Sequence, residues 1–162
     1  MEEYRKGQGA SEYLMVFAAV LLIAIVAVVV LGFFPAFAGD AAITASNTYW
    51  RNEARPFAIM EHSGVADSGT FYLKIENAEG RETLNITGIT LGNVTNSSSD
   101  PIDPGFWSIA FAPGESKIMT ITGGPTGTAG DLYEVNVNIN YTRKNGIPAA
   151  QYGDKKLVGR YV

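Results

Sequence analysis

"LMVFAAVLLIAIVAVVVLGFF", Leu14–Phe34, decides how this chain is to be read. It contains no charged residue, and the charge-free stretch extends from Tyr13 to Gly39. At 1.5 Å rise per residue, such a helix spans roughly 30 Å, the thickness of a bilayer's hydrocarbon core. Its apolar residues fall on every face, so no side of it is suited to water. The rest of this 162-residue chain is too small to surround a helix of that kind. The segment therefore needs lipid, or other apolar helices, around it.

Three readings of the N-terminus compete. A secretory signal peptide finds support in "PAFAGD", where Ala36-Phe37-Ala38 has the A-x-A form of a cleavage site. Against it, signal-peptide apolar regions run to about 7–15 residues. The preceding segment also carries Glu2, Glu3 and Glu12 against Arg5 and Lys6, so it is not a basic leader. A plain single-pass anchor explains the length of the run and leaves Glu12 unexplained.

The third reading uses the order of the parts. A charged leader, "MEEYRKG", ends in glycine; "QGASEY" follows, then the apolar run. This order resembles the class III signal peptide of archaeal type IV pilins. That family's pattern is a glutamine directly after the cut, a serine, and a glutamate fifth in the mature chain. Gln8, Ser11 and Glu12 match it, with Lys6 and Gly7 before the cut. The resemblance covers residues 6–39. It implies cleavage between Gly7 and Gln8 by a prepilin peptidase on the cytoplasmic side, with the apolar segment retained. Archaeal flagellins share the architecture but usually begin with a glycine-rich, glutamate-free stretch, so Glu12 favours a pilin.

An unpaired carboxylate near hydrocarbon costs several kcal/mol. Cleavage after Gly7 would place a new α-amine on Gln8, which could pair with Glu12 of the same or a neighbouring subunit. Alternatively, Glu12 lies in the headgroup layer as a first-turn residue favoured by the helix dipole. Both accounts stay open here. Pro35 is expected to bend or end the helix. "GDAAITASNTYW" could resume it, and Pro56 should stop it by disfavouring helix at Arg55.

Beyond residue 54 the pattern changes to period two. In Tyr133–Thr142, Tyr133, Val135, Val137, Ile139 and Tyr141 share one face. "GTFYLKIEN" turns Phe71, Leu73 and Ile75 inward, and "FWSIAFA" puts Trp107, Ile109 and Phe111 on one face. In "TLNITGITL" the apolar phase slips at Gly88, which predicts a bulge there. "RPFAIMEH", "SKIMTIT" and "KKLVGRYV" are further strand candidates, separated by turn signals such as "NAEGRE", "NSSSDPIDPG" and "APGES". The expected fold class is α+β: a long N-terminal hydrophobic helix followed by an all-β sandwich that loosely resembles immunoglobulin-like domains. The expected organisation is a leader over residues 1–7, the helix over 8–54, and the β-domain over 55–162.

The chemistry-bearing residues are few. Sequons of the form N-x-S/T occur at Asn85, Asn93, Asn96 and Asn140, which makes these N-glycosylation candidates. Asn85 and Asn140 fall on the polar faces of their strands; Asn93 and Asn96 sit in the most loop-like stretch. Solubility alone could also enrich Asn and Thr in such places. Asp100 and Asp103 read as a rigid proline turn rather than a calcium site, which needs 6–8 oxygens. The single histidine, His62, is expected as an exposed loop or strand-end residue. With no cysteine, thiolate metal sites are excluded, and one histidine cannot supply a His-based metal cluster. No serine has a plausible base, so no catalytic residue, cofactor or metal is expected and the chain does not read as an enzyme. Net charge is −4 with no basic cluster, which argues against a nucleic-acid partner. Tyr49, Trp50, Phe57, Phe106 and Trp107 are expected in the core or at the junction of helix and sandwich.

The resemblance then implies a structural subunit. A membrane-inserted precursor is trimmed and passed to a pilus assembly platform. It polymerises through its helix into a homo-oligomeric helical filament outside the cell, with adhesion as the implied role. N-glycans are expected on its surface. The alternative is a monomeric, membrane-tethered extracellular β-sandwich binding module.

Overall fold

A computed structural model describes residues 3–97 and 108–162. It comprises two compact units, Met1–Asp40 and Ala41–Val162. Helix α1 (Glu3–Thr48) carries the whole apolar segment and continues without a break past Pro35. The expectation that Pro35 could end the helix is therefore corrected. Proline removes one donor from the ladder, and the ladder is long enough on both sides to continue. The helical run closes in a π-turn over Tyr49–Glu53, after which Ala54 is extended and Pro56 follows.

The strands, in chain order, are β1 (Phe57–Val65), β2 (Thr70–Asn77), β3 (Leu84–Leu91), β4 (Val94–Ser97), β5 (Ile109–Phe111), β6 (Ser116–Ile121), β7 (Leu132–Val135), β8 (Val137–Thr142), β9 (Pro148–Tyr152) and β10 (Leu157–Arg160). They form a three-stranded sheet ordered β1-β2-β6 and a two-stranded sheet β10-β7. A five-stranded sheet is ordered β4-β3-β8-β9, with β5 also on β3. All these strand pairs are antiparallel. The chain is thus a long apolar helix followed by an antiparallel β-unit.

Two departures from strict alternation shape this unit. The phase slip expected at Gly88 is present as a register shift between Ile86 and Gly88 against β8. The stretch expected as one strand, Tyr133–Thr142, breaks at Asn136. Val135 pairs within the β10-β7 sheet and Val137 within the five-stranded sheet. The Asn136 carbonyl leaves the ladder and accepts the Gly92 N–H at 2.8 Å. One strand thereby serves two sheets while keeping both of its halves apolar inward. Strands β4 and β9 were not expected. Asn96, expected in a loop, lies in β4 opposite Ile89. Phe106, Trp107, Asp100 and Asp103 lie outside the described residues.

All three sheets contribute to one apolar cluster, which includes Phe57, Phe71, Phe111, Ile86, Ile139 and Leu157. Phe57 of β1 meets Phe111 and Tyr141 edge-on at 5.7 and 5.4 Å, so aromatic edges join the three- and five-stranded sheets. Among the described residues, the buried polar side chains Ser46, Asn77 and Gln151 are all hydrogen-bonded, whereas the buried Trp50 Nε1–H has no partner. Gln151 of β9 accepts from the Phe57 N–H and donates to the Phe57 carbonyl, each at 2.8 Å. Asn77 donates to the carbonyls of Glu82 and Phe111 and accepts from the Glu79 N–H.

The β-unit begins at Ala41, whereas the sequence reading drew its boundary at 54/55. The reason lies in three side chains. Ser46 is 2% exposed and bridges β10 by donating to the Lys156 carbonyl and accepting from the Val158 N–H, both at 2.9 Å. The Tyr49 hydroxyl accepts from the Asp154 N–H at 2.9 Å. Trp50 is fully buried and lies over Gly153, where a Cβ would collide with the indole ring.

A soluble fragment of residues 41–162 is therefore expected to unfold in one cooperative transition by circular dichroism. A fragment beginning at residue 56 loses Trp50, a truncation worth roughly 3–5 kcal/mol. Its melting temperature should fall by about 10 °C or more. Equal melting temperatures would show that the helix end is not part of this unit.

Candidate functional site

The first candidate surface is the apolar helix itself. Over Gly9–Gly32 it is long and apolar enough to cross a membrane, and none of that window is buried within the chain. Exposure is high all round: Leu14 is 64% exposed, Val20 58% and Val28 71%. No stripe is polar between Leu14 and Leu31, so any aqueous setting leaves a whole apolar cylinder wet. Burying one leucine-sized side chain is worth roughly 1.5–3 kcal/mol, and this cylinder offers many. Gly7 and Gln8 fall within the span of α1. Glu12 is exposed one helical turn beyond Gln8, at the edge of the apolar window. Four-residue spacing puts positions 8 and 12 on one helix face.

The sequons gather on a different element. Asn85 in β3, Asn96 in β4 and Asn140 in β8 belong to the five-stranded sheet, and Asn93 sits at the β3–β4 hairpin tip. There Gly92 has φ +63° and Leu91 pairs with Val94. A positive φ at the first of two central residues is the type II′ arrangement, which glycine adopts without strain. Asn93 and Asn140 are exposed and Asn85 is half-buried.

A third cluster was missed by the sequence reading. His62 is neither in a loop nor at a strand end; it lies within β1, half-buried. A register shift between Ile59 and Glu61 inverts the inward phase of the strand, so His62 rather than Glu61 pairs on the inner side, opposite Leu73. Its Nε2 lies 2.9 Å from Asn47 Oδ1, and its Nδ1 lies 2.6 Å from the Tyr133 hydroxyl. A carboxamide oxygen only accepts, so Nε2 carries the proton and Nδ1 accepts from the phenol. The imidazole thus ties the last turn of α1 to β1 and β7. Burial, and then the Arg51 charge, push the His62 pKa down to about 4. Burial, and then Tyr161, push Tyr133 up to about 12. Gly159 leaves room for this contact, since a Cβ there would collide with the Tyr133 ring and approach His62 Cε1 at 3.0 Å. The concavity beside it measures about 360 Å³ and is lined by Asn47, Arg51, Glu61, His62, Arg160 and others. Among the described residues, no group of three or more His, Asp or Glu could hold a metal ion. The only sequence signal for the cluster was the polar Asn47 near the helix end; the bulge that turns His62 inward leaves none.

No family model matches the chain, and no curated protein matches it. Among solved structures, it is similar to a chain of the archaeal flagellum of Methanospirillum hungatei strain JF1. Identity is 19% and the TM-score is 0.33, over 95% of this chain and 99% of that one.

The His62 bonds make a pH dependence that can be measured on the 41–162 fragment. Unfolded histidine protonates near its ordinary 6.5, and the folded group only near 4. The folded state therefore resists taking up the proton. Its stability should be full above pH 6.5 and should fall by roughly 3 kcal/mol as pH drops from 6.5 to 4. Denaturant melts across that range test this. His62→Gln should remove the slope contributed in this window; an unchanged slope would show that the imidazole is not held neutral.

Proposed function

We propose that this chain is the structural subunit of an archaeal extracellular adhesion pilus of the type IV kind. One observation carries the reading: a helix apolar on every face directly follows the ordered residues Gly7, Gln8, Ser11 and Glu12. In this reading, a prepilin peptidase cuts between Gly7 and Gln8 after the precursor has inserted in the membrane. An assembly platform then transfers the trimmed helix from lipid into a bundle of identical helices. Both surroundings satisfy the same apolar cylinder, so one segment serves as anchor and as filament core. The β-unit forms the outer wall and carries N-glycans. The role is structural, and no reaction, metal or cofactor is assigned to the chain.

Glu12 adds specificity to an otherwise non-directional contact. Apolar helices slide against one another with little preference for register. A carboxylate paired with the new amine of Gln8, its own or a neighbour's, favours one register over the rest. A neutral carboxamide at position 12 would bury without offering that pairing.

Two substitutions test the reading at its two steps. Gly7→Val should leave full-length precursor in the membrane, seen as an uncut N-terminus by mass spectrometry. Normal trimming to Gln8 would show that the site is misplaced. Glu12→Gln should still insert and be cut. Its filament yield should fall at least about tenfold, equivalent to roughly 1.4 kcal/mol per subunit. Wild-type yield would remove the pairing and leave Glu12 as a headgroup-level residue.

A further inference from the structure

The outer face of the five-stranded sheet differs in chemistry from the other sheets. None of its strands, β3, β4, β5, β8 and β9, contains a charged residue. The three-stranded sheet carries the Lys74–Glu61 ion pair, and the two-stranded sheet carries Glu134 and Arg160. Register arranges the uncharged face in rows. Pro148, Thr142, Asn85 and Ala110 form one; Ala150, Asn140, Gly88 and Ser97 the next; Tyr152, Asn138, Thr90 and Thr95 the third. The face has carboxamides and hydroxyls, which donate and accept as sugar hydroxyls do. It also has an aromatic ring, Tyr152, which is 69% exposed.

The sequons on this sheet are not equivalent. Asn85 is half-buried and lies between Thr142 and Ala110. Asn93 is exposed, but the hydroxyl of its sequon threonine, Thr95, is engaged with Thr90 at 2.9 Å. Asn140 is exposed, and its cross-strand neighbours are Gly88 and Ala150, the two smallest residues. A group added to its carboxamide meets no large side chain in its own row. Tyr152 stands two residues beyond Ala150 on β9, about 7 Å along the strand. One sugar ring attached to Asn140 covers that distance.

We propose that Asn140 is the principal glycan attachment site and that Tyr152 is the platform on which the first sugar lies. This rests on the reading that the β-unit is outside the cell. The donor is a lipid-phosphate-linked oligosaccharide acted on by a membrane transferase. Asn140 Nδ2 bonds to the anomeric carbon and gives up one proton, while the bond from that carbon to the phosphate oxygen breaks and the lipid phosphate leaves. The apolar face of the linked ring then covers Tyr152, and the Asn138 carboxamide is placed to hydrogen-bond its hydroxyls. An uncharged sheet face suits this occupant because a neutral sugar cannot compensate a covered charge.

The test uses the full chain produced in an N-glycosylating archaeal host. Glycopeptide mass spectrometry should find Asn140 occupied and Asn85 bare. The same spectra report the N-terminus. Asn140 bare on a chain trimmed to Gln8 overturns the site and leaves the pilus reading standing. Asn140 bare on an untrimmed chain overturns both. The platform is tested separately, by melting the β-unit of the detergent-solubilised chain. The occupied protein should melt roughly 3 °C above Asn140→Gln. Tyr152→Phe should keep that difference and Tyr152→Ala should abolish it. A full difference in Tyr152→Ala overturns the platform.

Discussion

The constraint on which the rest depends is that one segment, Leu14–Leu31, has no polar side and no cover within its own chain. Water is excluded as its resting environment by the sum of many small transfer terms. Lipid and a bundle of like helices remain, and they are energetically similar, since both are apolar. In the proposed pilus reading, a subunit that leaves a membrane to enter a filament needs that near-equality.

The last turns of α1 and the π-turn are built into the β-core. Ser46 bridges β10, Tyr49 takes the Asp154 N–H, Trp50 fills the core beside Gly153, and Asn47 reaches His62. Each contact alone contributes only about a kilocalorie or a few. Together they make residues 41–53 part of the β-unit. The neutral imidazole of His62 makes this joint weaker in acid, because the folded state holds it below its ordinary pKa.

Much of this was legible in the sequence, and the reasons differ by element. The helix was plain because length and composition together decide it. Strands β2, β3 and β8 were plain because their apolar residues alternate without error up to Gly88, where the slip itself marked the bulge. β9, "PAAQY", has no alternation to find; its inward residue is Gln151, a polar side chain whose role depends on Phe57 far away in sequence. The position of His62 depends on the bulge at Ile59–Glu61, and no local residue announces it. Tyr49 and Trp50 were expected in the core or at the junction of helix and sandwich and are buried there, but the boundary at Ala41 was hidden, since Ser46 acquires its importance only from β10. The sequons were visible as motifs, but their gathering on one uncharged sheet appears only with strand order.

The central claim is that the apolar helix is the core of a filament. The most direct measurement is a cryo-EM reconstruction of filaments assembled from the full chain, at a resolution that shows side chains. The expected map has Gln8 as the first residue, residues 14–31 packed helix against helix around the axis, and the β-units outside. A map whose subunits touch only through their β-units, with the helices in lipid or detergent, would contradict it.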